Sequence, residues 1–238
     1  MITRVIRRVF AAAALVASVA GCGRFPGQPV PADVVLEPEQ VTSFDELFGH
    51  NCAGCHGTSG KGNGALALAN PIYLAIASDD VMRAAVAQGV RGSLMPPFAK
   101  SAGGFLTDAQ VEILVNGMRT RWAKPDALQG AVPPPYAATT AGDPQRGAIV
   151  FTTSCVSCHG AAGKGGNKVG SIVDGSFLAL VSAQNLRTTV IAGRPDLGHP
   201  DWRHCVEGQP LTPEQVTDVV SWLTAQRPSN PGQPYPTK

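Results

Sequence analysis

The sequence predicts an all-α protein made of two tandem copies of one small helical domain. Three observations carry that expectation. A five-residue pattern occurs twice, as Cys52-Ala53-Gly54-Cys55-His56 and as Cys155-Val156-Ser157-Cys158-His159. The residues behind it recur as well: Gly57, Gly60, Lys61 and Gly62 return 103 positions later as Gly160, Gly163, Lys164 and Gly165. Late in each copy lies an apolar stripe at i, i+3, i+4, i+7, the signature of a helix with one buried side. Val111, Leu114, Val115 and Met118 form it first, and Val216, Val219, Val220 and Leu223 repeat it. The offset drifts only from 103 to 105 across the unit, which marks a duplication.

Cys-x-x-Cys-His is the attachment sequence of a c-type haem. The two thiols add across the vinyl groups, and the adjacent histidine is held under the iron as its proximal ligand. Cys52, Cys55, Cys155 and Cys158 are therefore the expected attachment points of two haem c groups, with His56 and His159 as proximal ligands. Four cysteines could instead make a zinc site, or each pair a redox dithiol. The histidine that follows each pair, inside a longer repeat, favours haem.

Each expected domain is small, and aromatic residues make up only 6% of a chain that holds 27 glycines and 20 prolines. So small a domain is marginal on its own apolar core, and a covalent haem would add the missing apolar mass. The formal charge of +2 is carried by the first 21 residues, where Arg4, Arg7 and Arg8 meet no acid; residues 22–238 come to −1. Such a balance gives no reason to expect a nucleic-acid partner.

Residues 1–21 read as an export signal: basic up to Arg8, apolar from Val9 to Val19, then small residues. Export agrees with haem attachment outside the cytoplasm. Val19-Ala20-Gly21-Cys22 has the form of a lipoprotein signal, with Cys22 as the lipidated first residue; an ordinary cleavage site beside a chance cysteine is the competing reading. Residues 22–41, with Pro26, Pro29, Pro31 and Pro38, read as a semi-rigid spacer.

The first domain is expected over 42–122. Ser43 and Glu46 have capping-box spacing, and Phe44, Leu47 and Phe48 give the first helix its apolar face. A middle helix carries Ser78, Met82, Arg83 and Val86, and Thr107 with Gln110 caps the last one. The second domain is expected over 143–228. Asp143 is the N-cap with Pro144 at N1, and Ser182, Leu186, Arg187 and Val190 repeat the middle helix. Thr212 with Gln215 repeats the last cap. Residues 123–142, with Pro125 and Pro133-Pro134-Pro135, read as an extended linker, and 229–238 as a flexible tail.

Each unit resembles a class I cytochrome c domain, and the pair resembles a tandem dihaem cytochrome c. The likeness covers about 44–122 and 144–227. It implies two helical domains, each wrapped around a covalent haem, and a proline carbonyl that accepts the proximal Nδ1–H. Pro71 fits that role in the first unit, and its counterpart lies near Gly175 in the second.

A six-coordinate electron-transfer haem needs a second axial side chain, usually methionine or histidine. The repeat aligns Met82 with Leu186 and Met118 with Leu223, which marks both methionines as core. Met95, followed by Pro96, resembles the family's methionine ligand. The second unit has no methionine. Gly89 aligns with Gly193, and six residues beyond them stand Met95-Pro96 and His199-Pro200, so His199 takes the ligand position. His204 as the ligand, or an open site, is the competing reading. Cys205 is left over; a free thiol is the plain reading, and a cysteine ligand of the thiosulfate dehydrogenase kind the alternative.

The expected function is one-electron transfer by a lipid-anchored dihaem cytochrome of the periplasm or cell envelope. Its partners would be redox proteins (an oxidase, a reductase or a photosynthetic complex), and it could be a fixed subunit of a larger complex. The alternative is a dihaem redox enzyme, peroxidase-like or thiosulfate dehydrogenase-like.

Overall fold

The computed structural model describes residues 35–166 and 169–229. The export signal, Cys22, most of the spacer and nearly all of the tail lie outside the described residues. Residues up to Gln40 form a unit apart from 41–238. Its described part is a short 3₁₀ turn, Pro38–Gln40, in which Glu37 N donates to Gln40 Oε1 at 3.1 Å.

The second unit is helical, and among the described residues there is no strand, only two isolated bridges. The first repeat runs α1 (Phe44–Asn51), α2 (Ala53–His56), α3 (Pro71–Ile76), α4 (Asp79–Gln88) and α5 (Asp108–Trp122). The second runs α6 (Pro144–Ser154), α7 (Val156–His159), α8 (Gly175–Leu180), α9 (Ala183–Ala192) and α10 (Pro213–Ala225). Both long last helices open on complete capping boxes, Thr107 with Gln110 and Thr212 with Gln215. At α1 the box is half made: Ser43 accepts from Glu46 N, and no return bond from Glu46 closes it. The expected stripes on α5 and α10 are buried throughout. Met82 and Met118 are core residues, 1% and 3% exposed.

Helices α3 and α8 did not announce themselves, because six residues are too few to show a period. Asn70 caps α3 through Oδ1, which accepts from Ile72 N and Tyr73 N. Its Nδ2 donates across to Ala192 O at 2.9 Å and Gly193 O at 3.3 Å, at the end of α9. The matching Asp174 caps α8 and can donate nothing onward.

In each repeat the first and last helices cross against one another. The crossing is filled in two opposite ways. In repeat 1, Phe44 of α1 lies where a Cβ on Gly117 of α5 would sit, 2.0 Å from the ring. Phe44 stacks on Phe48 at 5.4 Å, and Trp122 meets both edge-on. In repeat 2 the small residue is on α6: Gly147 lets the backbone of Asp218 on α10 approach, and the large one is Trp222, stacked on Phe151 at 4.3 Å. By the repeat offset, Phe44 matches Gly147 and Gly117 matches Trp222. Large-on-small has become small-on-large with the crossing preserved. A Cβ on Gly147 would fall 2.0 Å from Asp218 O, a backbone atom that cannot turn aside. Gly147→Val should therefore cost about 1–3 kcal/mol or more, read as a lower urea midpoint at unchanged haem content.

The 123–142 segment is packed against the fold rather than free. Pro134 is fully buried, and Leu128, Ala131 and Tyr136 pack on the main apolar cluster, which draws side chains from both repeats. Two arginines hold it by its carbonyls. Arg187, 3% exposed, donates to Pro135 O, Tyr136 O and Thr217 Oγ1. Arg203 Nη1 donates to Leu128 O at 3.1 Å. The matching Arg83 of repeat 1 pairs with Glu112 and Asp80 instead. Thr217 stands where repeat 1 has Glu112, so the second arginine takes its acceptors from the connecting segment.

Candidate haem sites

Each Cys-x-x-Cys-His forms a short helix, α2 or α7, directly behind the first helix of its repeat. The loop that follows folds back under it: Gly62 N donates to His56 O at 2.8 Å and Gly165 N to His159 O at 2.9 Å. Gly60, at φ +69°, lies flat against Trp122, and a Cβ there would fall 2.6 Å from the ring. That close approach is the structural use of this loop glycine. In each pair the first cysteine is half-buried and the second exposed. Burial, helped by its neighbour Cys55, pushes the Cys52 thiol up to about 11. Burial pushes Cys155 up to about 12, with Cys205 and Cys158 adding to it.

His56 is 9% exposed, and burial lowers its pKa below the ordinary imidazole value. Its Nδ1 bonds to Leu66 O at 2.8 Å. The carbonyl acceptor is thus Leu66, five residues before the expected Pro71, which is N1 of α3. The bond fixes Nδ1 as the N–H and leaves Nε2 as the available lone pair. In repeat 2 the corresponding carbonyl, Val169 O, already accepts from Gly166 N at 3.0 Å. His159 Nδ1 is buried and has no hydrogen-bond partner among the described residues, and the region near Gly175 supplies none.

The ring that faces His159 is that of His199. Their centroids are 5.6 Å apart, with the planes tilted by 50°. His199 Nδ1 is likewise buried without a partner among the described residues. Burial lowers the pKa of both; His199 lowers that of His159 further, and Arg194 lowers that of His199. Two half-buried imidazoles that face one another, with neither Nδ1 bonded among the described residues, suit one metal ion placed between them.

Met95 and His199 occupy the same place in matching loops. Val90 N donates to Met95 O at 3.1 Å, and Arg194 N to His199 O at 3.0 Å. Gly89 (φ +72°) and Gly193 (φ +69°) lie under these loops, where a Cβ would fall 2.7–2.8 Å from Met95-Pro96-Pro97 or His199-Pro200-Asp201 backbone. The ligand loop of each repeat therefore depends on a glycine that lets it close over the end of α4 or α9. Met95 is half-buried against the main cluster. His204 is turned outward, its side chain 65% exposed and hydrogen-bonded to Asp201. Cys205 Sγ turns to Asp201 O at 3.5 Å, and burial pushes its thiol up to about 11, so it stays protonated at neutral pH. His50 is exposed.

Among the described residues no three His, Cys, Asp or Glu side chains gather as a metal cluster, and no helix is long and apolar enough to cross a membrane.

Residues 39–116 match the family described as cytochrome c oxidase, cbb3-type, subunit III, and residues 144–226 the family described as cytochrome c. The chain is 30% identical to the cbb3-type cytochrome c oxidase subunit CcoP of Rubrivivax gelatinosus, over 62% of this chain and 43% of that protein. It is 28% identical to the cbb3-type cytochrome c oxidase subunit FixP of Bradyrhizobium sp. (strain ORS 278), over 72% of this chain and 59% of that one. The chain thus spans about half the length of the curated relatives it matches. Among solved structures, the Kuenenia stuttgartiensis reducing HAO-like protein complex aligns at 16% identity and a TM-score of 0.43, covering 84% of this chain and 100% of that chain, too slight a likeness to argue from. Two cytochrome c-type domains, each with its own Cys-x-x-Cys-His and its own haem c, make this chain a tandem dihaem cytochrome c.

Proposed function

We propose that the protein passes single electrons between redox proteins at the outer side of a cytoplasmic membrane, as an anchored subunit of an oxidase-type complex. The observation that carries the electron-transfer reading is the opposition of His159 and His199, which would leave no side open for a substrate on an iron held between them. In this reading Cys52 and Cys55 attach one haem and Cys155 and Cys158 the other, within domains 42–122 and 143–228. His56 and Met95 would hold the iron of the first haem, and His159 and His199 that of the second. Bound haem supplies reversible Fe(III)/Fe(II) exchange; the chain orients the ligands, excludes water and sets the potentials. The matched relatives are subunits of cbb3-type cytochrome c oxidases, which supports a place beside an oxidase. Lipidation of Cys22, after removal of a leader over 1–21, would tether the protein on the periplasmic side, with 22–41 as the spacer.

The test is ligand access. Both ferrous haems should ignore carbon monoxide, and the protein should show no peroxidase or thiosulfate turnover. A haem that binds carbon monoxide stably, or turnover with either substrate, would favour a dihaem enzyme.

A further inference from the structure

Arg194 stands between the two haem sites, and the duplication does not account for it. The equivalent position in repeat 1 is Val90, and Asp196, its partner, is matched by Gly92. The backbone of Arg194 belongs to the second site: Arg194 N donates to His199 O and His199 N to Arg194 O, both at 3.0 Å. Its guanidinium belongs to the first. Nε and Nη2 grip Asp196 Oδ1 and Oδ2 at 2.9 and 2.7 Å, and the pair lies against Gly62. A Cβ at Gly62 would fall 2.7 Å from Arg194 Nη2 and 3.2 Å from Asp196 Oδ2, and Gly62 (φ +100°) leaves that space open. Gly62 N in turn donates to His56 O. Contacts therefore run unbroken from the backbone of His56, through Gly62 and the ion pair, to the backbone of His199. The two side chains are 13% and 21% exposed, so solvent screens the pair less than it would a surface one.

The Arg194 guanidinium carries a positive charge. A fixed positive charge close to a haem favours Fe(II) over Fe(III), and a negative one does the reverse.

We propose that the Arg194–Asp196 pair is a positioning element shared by the two haems: it seats the ligand loop of repeat 2 on the proximal loop of repeat 1, and the balance of its two opposite charges sets both reduction potentials together. This rests on the His56 and His199 ligation proposed above.

The experiment is a redox titration, followed by optical spectra, of the full-length haem-loaded protein and three variants. Arg194→Gln leaves Asp196 unbalanced, and both one-electron waves should move down. Asp196→Asn leaves Arg194 unbalanced, and both should move up. Arg194→Lys keeps the charge and should hold both waves nearer to wild type than Arg194→Gln does. A packing defect on Gly62 would move the waves alike in the Gln and Asn variants, so opposite signs identify the charge. A shift confined to one wave, equal signs, or no shift would overturn the proposal. His199→Met separates this from the ligand assignment: if it leaves the lower wave unmoved, the ligation is wrong whatever the Arg194 variants do.

Discussion

Cys155→Ala/Cys158→Ala should yield a protein with one haem instead of two, lacking the lower-potential wave and retaining the higher. Repeat 2 has few resources without its haem. The cluster it keeps to itself is Leu178, Leu186, Val220 and Leu223, and the rest of its core is shared with repeat 1. The double variant would also leave the His159 and His199 rings facing one another with no metal between them. A buried polar group with no partner costs about 1–3 kcal/mol, enough for the loop between Gly193 and Trp202 to open. Limited proteolysis should then cut repeat 2 first, with α6 and α10 the most resistant part because the Gly147 crossing does not involve the haem. The mirror variant, Cys52→Ala/Cys55→Ala, should remove the higher wave. Iron and pyridine haemochrome assays read the stoichiometry directly, and two haems retained in either double variant would contradict the assignment.

The second large effect concerns ligand type. A thioether is a softer and weaker donor than imidazole and favours Fe(II), so methionine ligation raises the potential relative to bis-histidine. His199→Met should move the lower wave up and leave the Met95 haem nearly where it was. It should also add a second near-infrared sulfur-to-iron band in the oxidised protein. The site can accept the change, because the loop around Met95 has the same backbone bond and the same supporting glycine as the loop around His199. His204→Met should do neither, since its ring is exposed and engaged with Asp201. A lower wave unmoved by His199→Met would remove His199 from the ligand set.

The repeat made much of this legible in advance. Capping boxes at Thr107 and Thr212, the stripes on α5 and α10, and the pairing of Met95 with His199 through Gly89 and Gly193 all follow from spacing, which sequence displays directly. What escaped was contact between residues that no period links. The exchange of Phe44 and Gly117 for Gly147 and Trp222 is written in the alignment of the copies, but it acquires meaning only when two helices are known to cross. Leu66 serves His56 because the loop closes tightly through Gly62, and loop closure leaves no periodic trace. The prolines of 123–142 read as an extended linker, and its docking, with Pro134 buried and Arg187 holding the neighbouring carbonyls, is what the sequence does not display. One signal was present: Arg187 aligns with Arg83, yet Thr217 replaces the carboxylate of Glu112, and a buried arginine without an acid must find acceptors elsewhere. Asn70, whose amide caps one helix and ties down another, carries no periodic sign of either role.

The most direct measurement is a spectroelectrochemical titration of the haem-loaded wild-type protein. Two separate one-electron waves are expected, the higher accompanied by loss of the single near-infrared sulfur-to-iron band on reduction, the lower by a bis-histidine spectrum, with both haems low-spin throughout. One wave accounting for one haem, or a haem that remains high-spin and binds added ligand, would contradict the account.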